Sequence, residues 1–166
     1  MMKKMRIGLI AISAGLLLLG AEAFAAGSSS APASDTRPGV SLYNDGVKLM
    51  KKGKFEMAAK KFEAALEKNP KMAEAHNNLA YSLRKQGAGN FDQALSHYNR
   101  AIELNPNLAE AYMYRGVLHT LMGNEEKALQ DHTKLTQFNR KLADALQAVI
   151  ASGEEPAGLE GLAKAW

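Results

Sequence analysis

Cysteine is absent from the 166 residues. That removes disulfide frameworks, thiolate zinc sites, iron–sulfur clusters, covalent c-type haem and cysteine nucleophiles together. Proline (5) and glycine (14) are too scarce for a collagen-like or low-complexity chain, and aromatics, at 7%, suffice to anchor a core. With 46% apolar and 23% charged residues the chain is an ordinary globular one, with room for one modest domain. A nucleophile elbow, a phosphate loop and paired carboxylates in catalytic context are missing too; Gly87-Ala88-Gly89 is a turn rather than a phosphate cradle. No enzymatic activity and no cofactor are expected.

Long apolar runs are likewise lacking, with one exception at the start. Lys3, Lys4 and Arg6 precede an apolar stretch from Ile7 to Gly20, broken only by Ser13, and Ala23-Phe24-Ala25 then offers a small-x-small cleavage site. This is the pattern of a bacterial secretory signal peptide over residues 1–25. The stretch is about 14 residues, where a membrane span needs roughly 20, and without cysteine the site is not a lipobox. The expected location is the periplasm, with no stable membrane insertion after cleavage. Removing the segment takes three basic residues and Glu22 with it, so the net charge of +4 falls to +2. The basic balance is largely an address, and nucleic acid is not an expected partner. Residues 26–38 are rich in Gly, Ser, Ala and Pro without periodicity and read as a flexible leader.

Beyond the leader the chain repeats itself. Gly46, Gly53, Phe55, Ala58, Phe62, Ala65 and Pro70 recur as Ala80, Gly87, Phe91, Ala94, Tyr98, Ala101 and Pro106. They recur less faithfully as Gly116, Gly123, Glu125, Ala128, His132, Leu135 and Arg140. The spacing from Ala94 to Ala128 is 34 residues and from Ala58 to Ala94 it is 36. Each unit reads as a first helix with a small residue where helices approach, a glycine turn, and a second helix with alanine and a larger residue four positions on, on one face. Asn69-Pro70 and Asn105-Pro106 are expected to cap the next helix and enter its first turn. Asn90 with Gln93 offers a capping box for the second helix of the middle unit.

These positions resemble the tetratricopeptide repeat. The resemblance implies an all-α, right-handed superhelix of three helix-turn-helix repeats at 39–72, 73–108 and 109–142. A capping helix follows at 143–152, then a C-terminal tail at 153–166. It also implies that ligands meet the second, fifth, ninth and twelfth positions of each first helix. Here these are Val40, Tyr43, Val47 and Met50; Glu74, Asn77, Tyr81 and Arg84; and Glu110, Met113, Val117 and Thr120. Tyr43, Val47, Met50, Asn77, Tyr81, Arg84, Met113 and Val117 are the candidate partner-binding residues. Tyrosine offers apolar area with a polar tip, methionine adapts to irregular partners, and asparagine can both donate to and accept from a peptide unit. The stripe suits an extended peptide or a partner helix, and the expected role is a non-enzymatic adaptor or assembly factor. Tyr43, Val47, Met113 and Val117 stand where family members with a carboxylate clamp carry its polar residues, so such a clamp is not expected; Arg84 and Lys85 can still meet one acidic group.

Two other readings compete. One is a homo-oligomeric scaffold in which repeats stack between chains. The other is a haem- or metal-binding protein using His119 and His132, whose repeat positions are expected to approach each other across one unit. Their plainer reading is aromatic replacement in a terminal repeat. His76 and His97 show no ligand at metal spacing. The lysines at 48, 51, 52, 54, 60 and 61 read as a solvated face, with Glu56 and Glu63 in helical reach of Lys60.

Overall fold

A computed structural model describes residues 37–156. The expected signal peptide, nearly all of the leader and the last ten residues of the tail lie outside the described residues. Seven α-helices follow in chain order: α1 (Val40–Lys51), α2 (Phe55–Lys68), α3 (Ala73–Lys85), α4 (Phe91–Leu104), α5 (Ala109–Leu121), α6 (Glu125–Thr136) and α7 (Arg140–Ser152). Among the described residues there is no strand, and no helix is long and apolar enough to cross a membrane. Helices pair as α1 with α2, α3 with α4 and α5 with α6. Each pair packs on the next, and the first helices α1, α3 and α5 lie side by side.

The alanine-and-aromatic pattern explains the pairing. Ala58, Ala94 and Ala128 are wholly buried, which lets backbones approach. Phe62 and Tyr98, four residues beyond the first two, fill the adjoining space and are also wholly buried, each stabilising the fold by about 1.5–3 kcal/mol. A Cβ on Gly46 would fall 2.6 Å from Phe62 Cε1, so that contact admits no side chain. The third repeat solves the problem differently. His132 is half-buried, and the close neighbour of Gly116 is Leu146 of α7, whose Cδ2 would lie 2.5 Å from an added Cβ. The last helix therefore supplies the volume that the third repeat lacks. Leu142, Ala143, Leu146 and Val149, all buried, are the face it presents.

Turns and caps depart from the sequence expectation in two places. Asn69 and Asn105 end α2 and α4 in extended geometry, and their Oδ1 atoms accept from Lys71 N at 3.2 Å and Asn107 N at 3.1 Å. They close local turns that span the prolines rather than capping the helices beyond, which start three residues after each proline with Met72 and Leu108 as their N-caps. Asn139 does cap: α7 begins at the next residue, and Asn139 Oδ1 accepts from Leu142 N at 3.1 Å. The capping box at Asn90 and Gln93 does not form. Asn90 makes no side-chain cap hydrogen bond, because residues Ala88–Asn90 already turn as a 3-10 segment that runs straight into α4. Gly53 and Gly123 close the hairpins of the first and third repeats with φ of 69° and 74°, a backbone conformation that glycine enters without strain.

Candidate functional site

The first helices present their stripe on one face, but most of its residues are covered. Of the eight candidates, Tyr43 and Val47 are half-buried, and Met50, Asn77, Tyr81, Arg84, Met113 and Val117 are buried. The face remains open at the first repeat. There a cleft of about 400 Å³ is lined by residues that include Val40, Tyr43, Asn44, Met72 and Glu74.

A polar chain runs across this face between the first two repeats. Asn77 Nδ2 donates to Asn78 Oδ1 at 3.0 Å, and Asn78 Nδ2 donates to the Tyr43 hydroxyl at 3.1 Å. Tyr43 also meets the Phe62 ring at 5.7 Å. Burial, with a smaller push from Glu74, raises the Tyr43 hydroxyl to about 12, so it stays a neutral donor and acceptor. Asn77 Oδ1, 1% exposed with its residue, has no hydrogen-bond partner among the described residues. A buried acceptor left open in this way costs on the order of 1–3 kcal/mol.

The second half of the face is built on Arg84. Its guanidinium lies 5.1 Å from the Tyr81 ring centre and 5.7 Å from that of Tyr114, and the two rings meet edge-on at 4.9 Å. Burial works against the charge, but Tyr98 and Glu155 more than offset it and Arg84 stays firmly protonated. Nη1 and Nη2 donate to the two carboxylate oxygens of Glu155 at 2.5 and 3.1 Å, and Lys85 Nζ stands 3.8 Å from the same group. Glu155 sits just beyond α7. Burial raises its carboxyl, and the bonds and charge of Arg84, with Lys85, bring it below the usual carboxylate range. Arg84 was identifiable from the stripe; Glu155 was not, although a glycine followed by two acids and a proline marks a chain reversal.

His119 is buried beside a cleft of about 240 Å³ whose other residues are Leu95, Asn99, Arg115, Lys127, Gln130 and Asp131, and its Nδ1 has no hydrogen-bond partner among the described residues. Burial, aided by the Arg115 and Lys127 charges, lowers His119 to about 4. The pair that forms is His76 with His97, across α3 and α4, with Nδ1 atoms 3.0 Å apart. Residue spacing along one helix could not show it; the hairpin register could. Among the described residues no group of three or more His, Cys, Asp or Glu is placed to hold a metal ion.

With this geometry in view, the likeness to known proteins is specific. The family model of the TPR repeat matches residues 46–87 and 88–123, so these residues carry TPR repeats. No curated protein matches the sequence. Solved structures share the fold. The first TPR domain of Spaghetti (RPAP3) bound to the HSP90 peptide SRMEEVD is 22% identical, with a TM-score of 0.64 over 71% of this chain and 94% of that one. The second TPR domain of Spaghetti, bound to the same peptide, gives 22% and 0.58 over 62% and 94%. The TPR2B-domain:pHsp70 complex of yeast Sti1 gives 21% and 0.61 over 70% and 95%.

Proposed function

We propose that this protein is a non-enzymatic adaptor or assembly factor that binds a peptide or partner helix along the face formed by α1, α3 and α5. The observation that carries the reading is the open cleft of about 400 Å³ on that face, where Val40, Tyr43, Met72 and Glu74 combine apolar walls with polar tips. It receives a side chain of an extended peptide or partner helix. The preformed helical frame keeps the ordering cost of binding low. Peptides bound by structures of the same fold support this choice of partner class. The N-terminal pattern of residues 1–25 supports export to a bacterial periplasm, where the adaptor would act on envelope proteins.

Site-specific photo-crosslinking tests the reading. A photoreactive residue at Tyr43 or Val47 of the full chain, produced in its own cells, is expected to yield discrete protein adducts, and one at Glu63 on α2 is not. Equal adducts from both faces, or adducts from Glu63 alone, contradict it. Mature N-terminal sequencing that starts at Met1 contradicts export through a cleaved signal peptide.

A further inference from the structure

Arg84 is the one arginine of the first-helix stripe, and its side chain is 1% exposed. A guanidinium so placed needs a carboxylate, since an unpaired buried charge is strongly destabilising. The protein meets that need with Glu155, 71 residues further along the chain and held on neither α3 nor α4. The ties of Glu155 are weak apart from this pair. It follows α7 by three residues, after Gly153 turns the chain at φ 72°, and the bonds that order this turn involve Ser152 and Glu154 rather than Glu155 itself. The Arg84 side is rigid by contrast, wedged against Tyr81 and Tyr114 in the core. Tyr98 of α4 lies against the guanidinium as well and helps to hold its charge, so the cation is fixed from the core side while its carboxylate is held only by the segment beyond α7.

We propose that Arg84 heads a carboxylate-binding subsite on the first-helix face. Glu155 occupies it in the resting chain, and a protein partner binds by placing an acidic side chain of its own in Glu155's position. The proposal rests on the peptide-binding reading above and names the chemistry its partner carries at one point. Glu155 is then a tethered competitor. It keeps a buried cation paired when no partner is present, and it sets a threshold, because a tethered group competes at an effective concentration on the order of millimolar. Lys85, 3.8 Å from the same carboxylate, adds attraction for acidic rather than neutral side chains.

Two peptides and three full-length chains test it. The probes are a labelled synthetic peptide of residues 153–166 and the same peptide with Glu155→Gln. The chains are wild type, Glu155→Gln and Glu155→Gln with Arg84→Lys, each checked for helix content by circular dichroism. The Glu155→Gln chain is expected to bind the unaltered peptide at least about tenfold more tightly than the wild-type chain does, and at least about tenfold more tightly than it binds the Gln peptide. Adding Arg84→Lys should weaken binding by a similar factor, since lysine cannot reproduce the two-pronged pairing. In the crosslinking assay, Glu155→Gln is expected to raise the adduct yield at Tyr43 severalfold. Equal binding by wild type and Glu155→Gln, equal binding of both peptides, no binding by any chain, or an unchanged adduct yield overturns the proposal. If Tyr43 captures partners while Glu155→Gln changes nothing, the subsite fails and the peptide-binding reading stands; if Tyr43 captures nothing, the reading itself fails.

Discussion

His76 and His97 share one hydrogen bond between Nδ1 atoms 3.0 Å apart, their rings stacked at 5.2 Å, and His76 Nε2 lies 3.1 Å from the Pro70 carbonyl. The carbonyl can only accept, so His76 carries its proton on Nε2 and His97 donates from Nδ1. The pair is neutral in the folded chain. Burial and then the His76 charge hold His97 at about 4, and burial also lowers His76, with the Pro70 carbonyl pulling the other way.

This fixes a pH dependence. The unfolded imidazoles titrate near 6.5 and the folded ones lower, so between about 6.5 and about 4 the unfolded chain binds more protons. His119 adds to the same window. The stability these histidines contribute is present above about 6.5 and is lost as pH falls toward 4. Asp131 runs the other way, because burial raises its carboxyl against the bonds and charge of Arg115, but it is one group against three histidines. Thermal midpoints should therefore fall from about pH 7 to about pH 4.5, and His97→Gln should flatten the fall. A flat or rising midpoint over that range would sink the assignment.

Gly46 and Gly116 occupy the same repeat position but face different partners. Gly46→Val should cost about 1–3 kcal/mol through the clash with Phe62, and Phe62→Leu should recover part of it. Gly116→Val should be relieved by Leu146→Ala instead. Double-mutant cycles by chemical denaturation check both, and coupling of Gly116 to His132 rather than Leu146 would contradict the packing of α7.

Much of this fold is legible in the sequence, and the reason is local. A buried alanine with an aromatic four residues on is fixed by helix geometry, so Ala58 with Phe62 and Ala94 with Tyr98 announce their hairpins directly. The role of α7 is only half legible: Leu142, Leu146 and Val149 show a buried face, but nothing in residues 140–152 says that Leu146 replaces the aromatic missing at His132. The candidate site is less readable still. Position in the repeat selects Arg84 and Asn77, yet whether such residues are open or covered depends on contacts from distant parts of the chain. Arg84 with Glu155 and His76 with His97 are pairings that no spacing rule along one helix contains.

Asn139 and Asn69 separate two uses of one residue type. Asn139→Ala removes the only side-chain cap found on the seven helices and should cost about 1 kcal/mol. Asn69→Ala, which loses an exposed turn bond to Lys71, should cost less, about 0.5 kcal/mol at most. Urea titrations that rank the two in the opposite order would contradict the cap assignment.

Arg115 holds Asp131 through two bonds of 3.0 and 2.6 Å and reaches Asn99 at 2.7 Å, joining α5 to α6 and α4. The Asp131 side chain is 3% exposed and that of Arg115 is 22% exposed. Arg115→Ala strands a buried carboxylate and should cost about 3 kcal/mol, while Asp131→Asn, which leaves no charge behind, should cost clearly less. Equal losses for the two would show that the pair is solvated and structurally minor.

The central claim is that partners engage the first-helix face. Hydrogen–deuterium exchange on the full chain, with and without a saturating partner recovered through the Tyr43 crosslink, measures this most directly. Slowed exchange is expected in Val40–Lys51 and Ala73–Lys85, with faster exchange around Glu155 as it leaves Arg84. Protection confined to Phe55–Lys68, Phe91–Leu104 or Glu125–Thr136 would place the partner on the second helices and contradict the account.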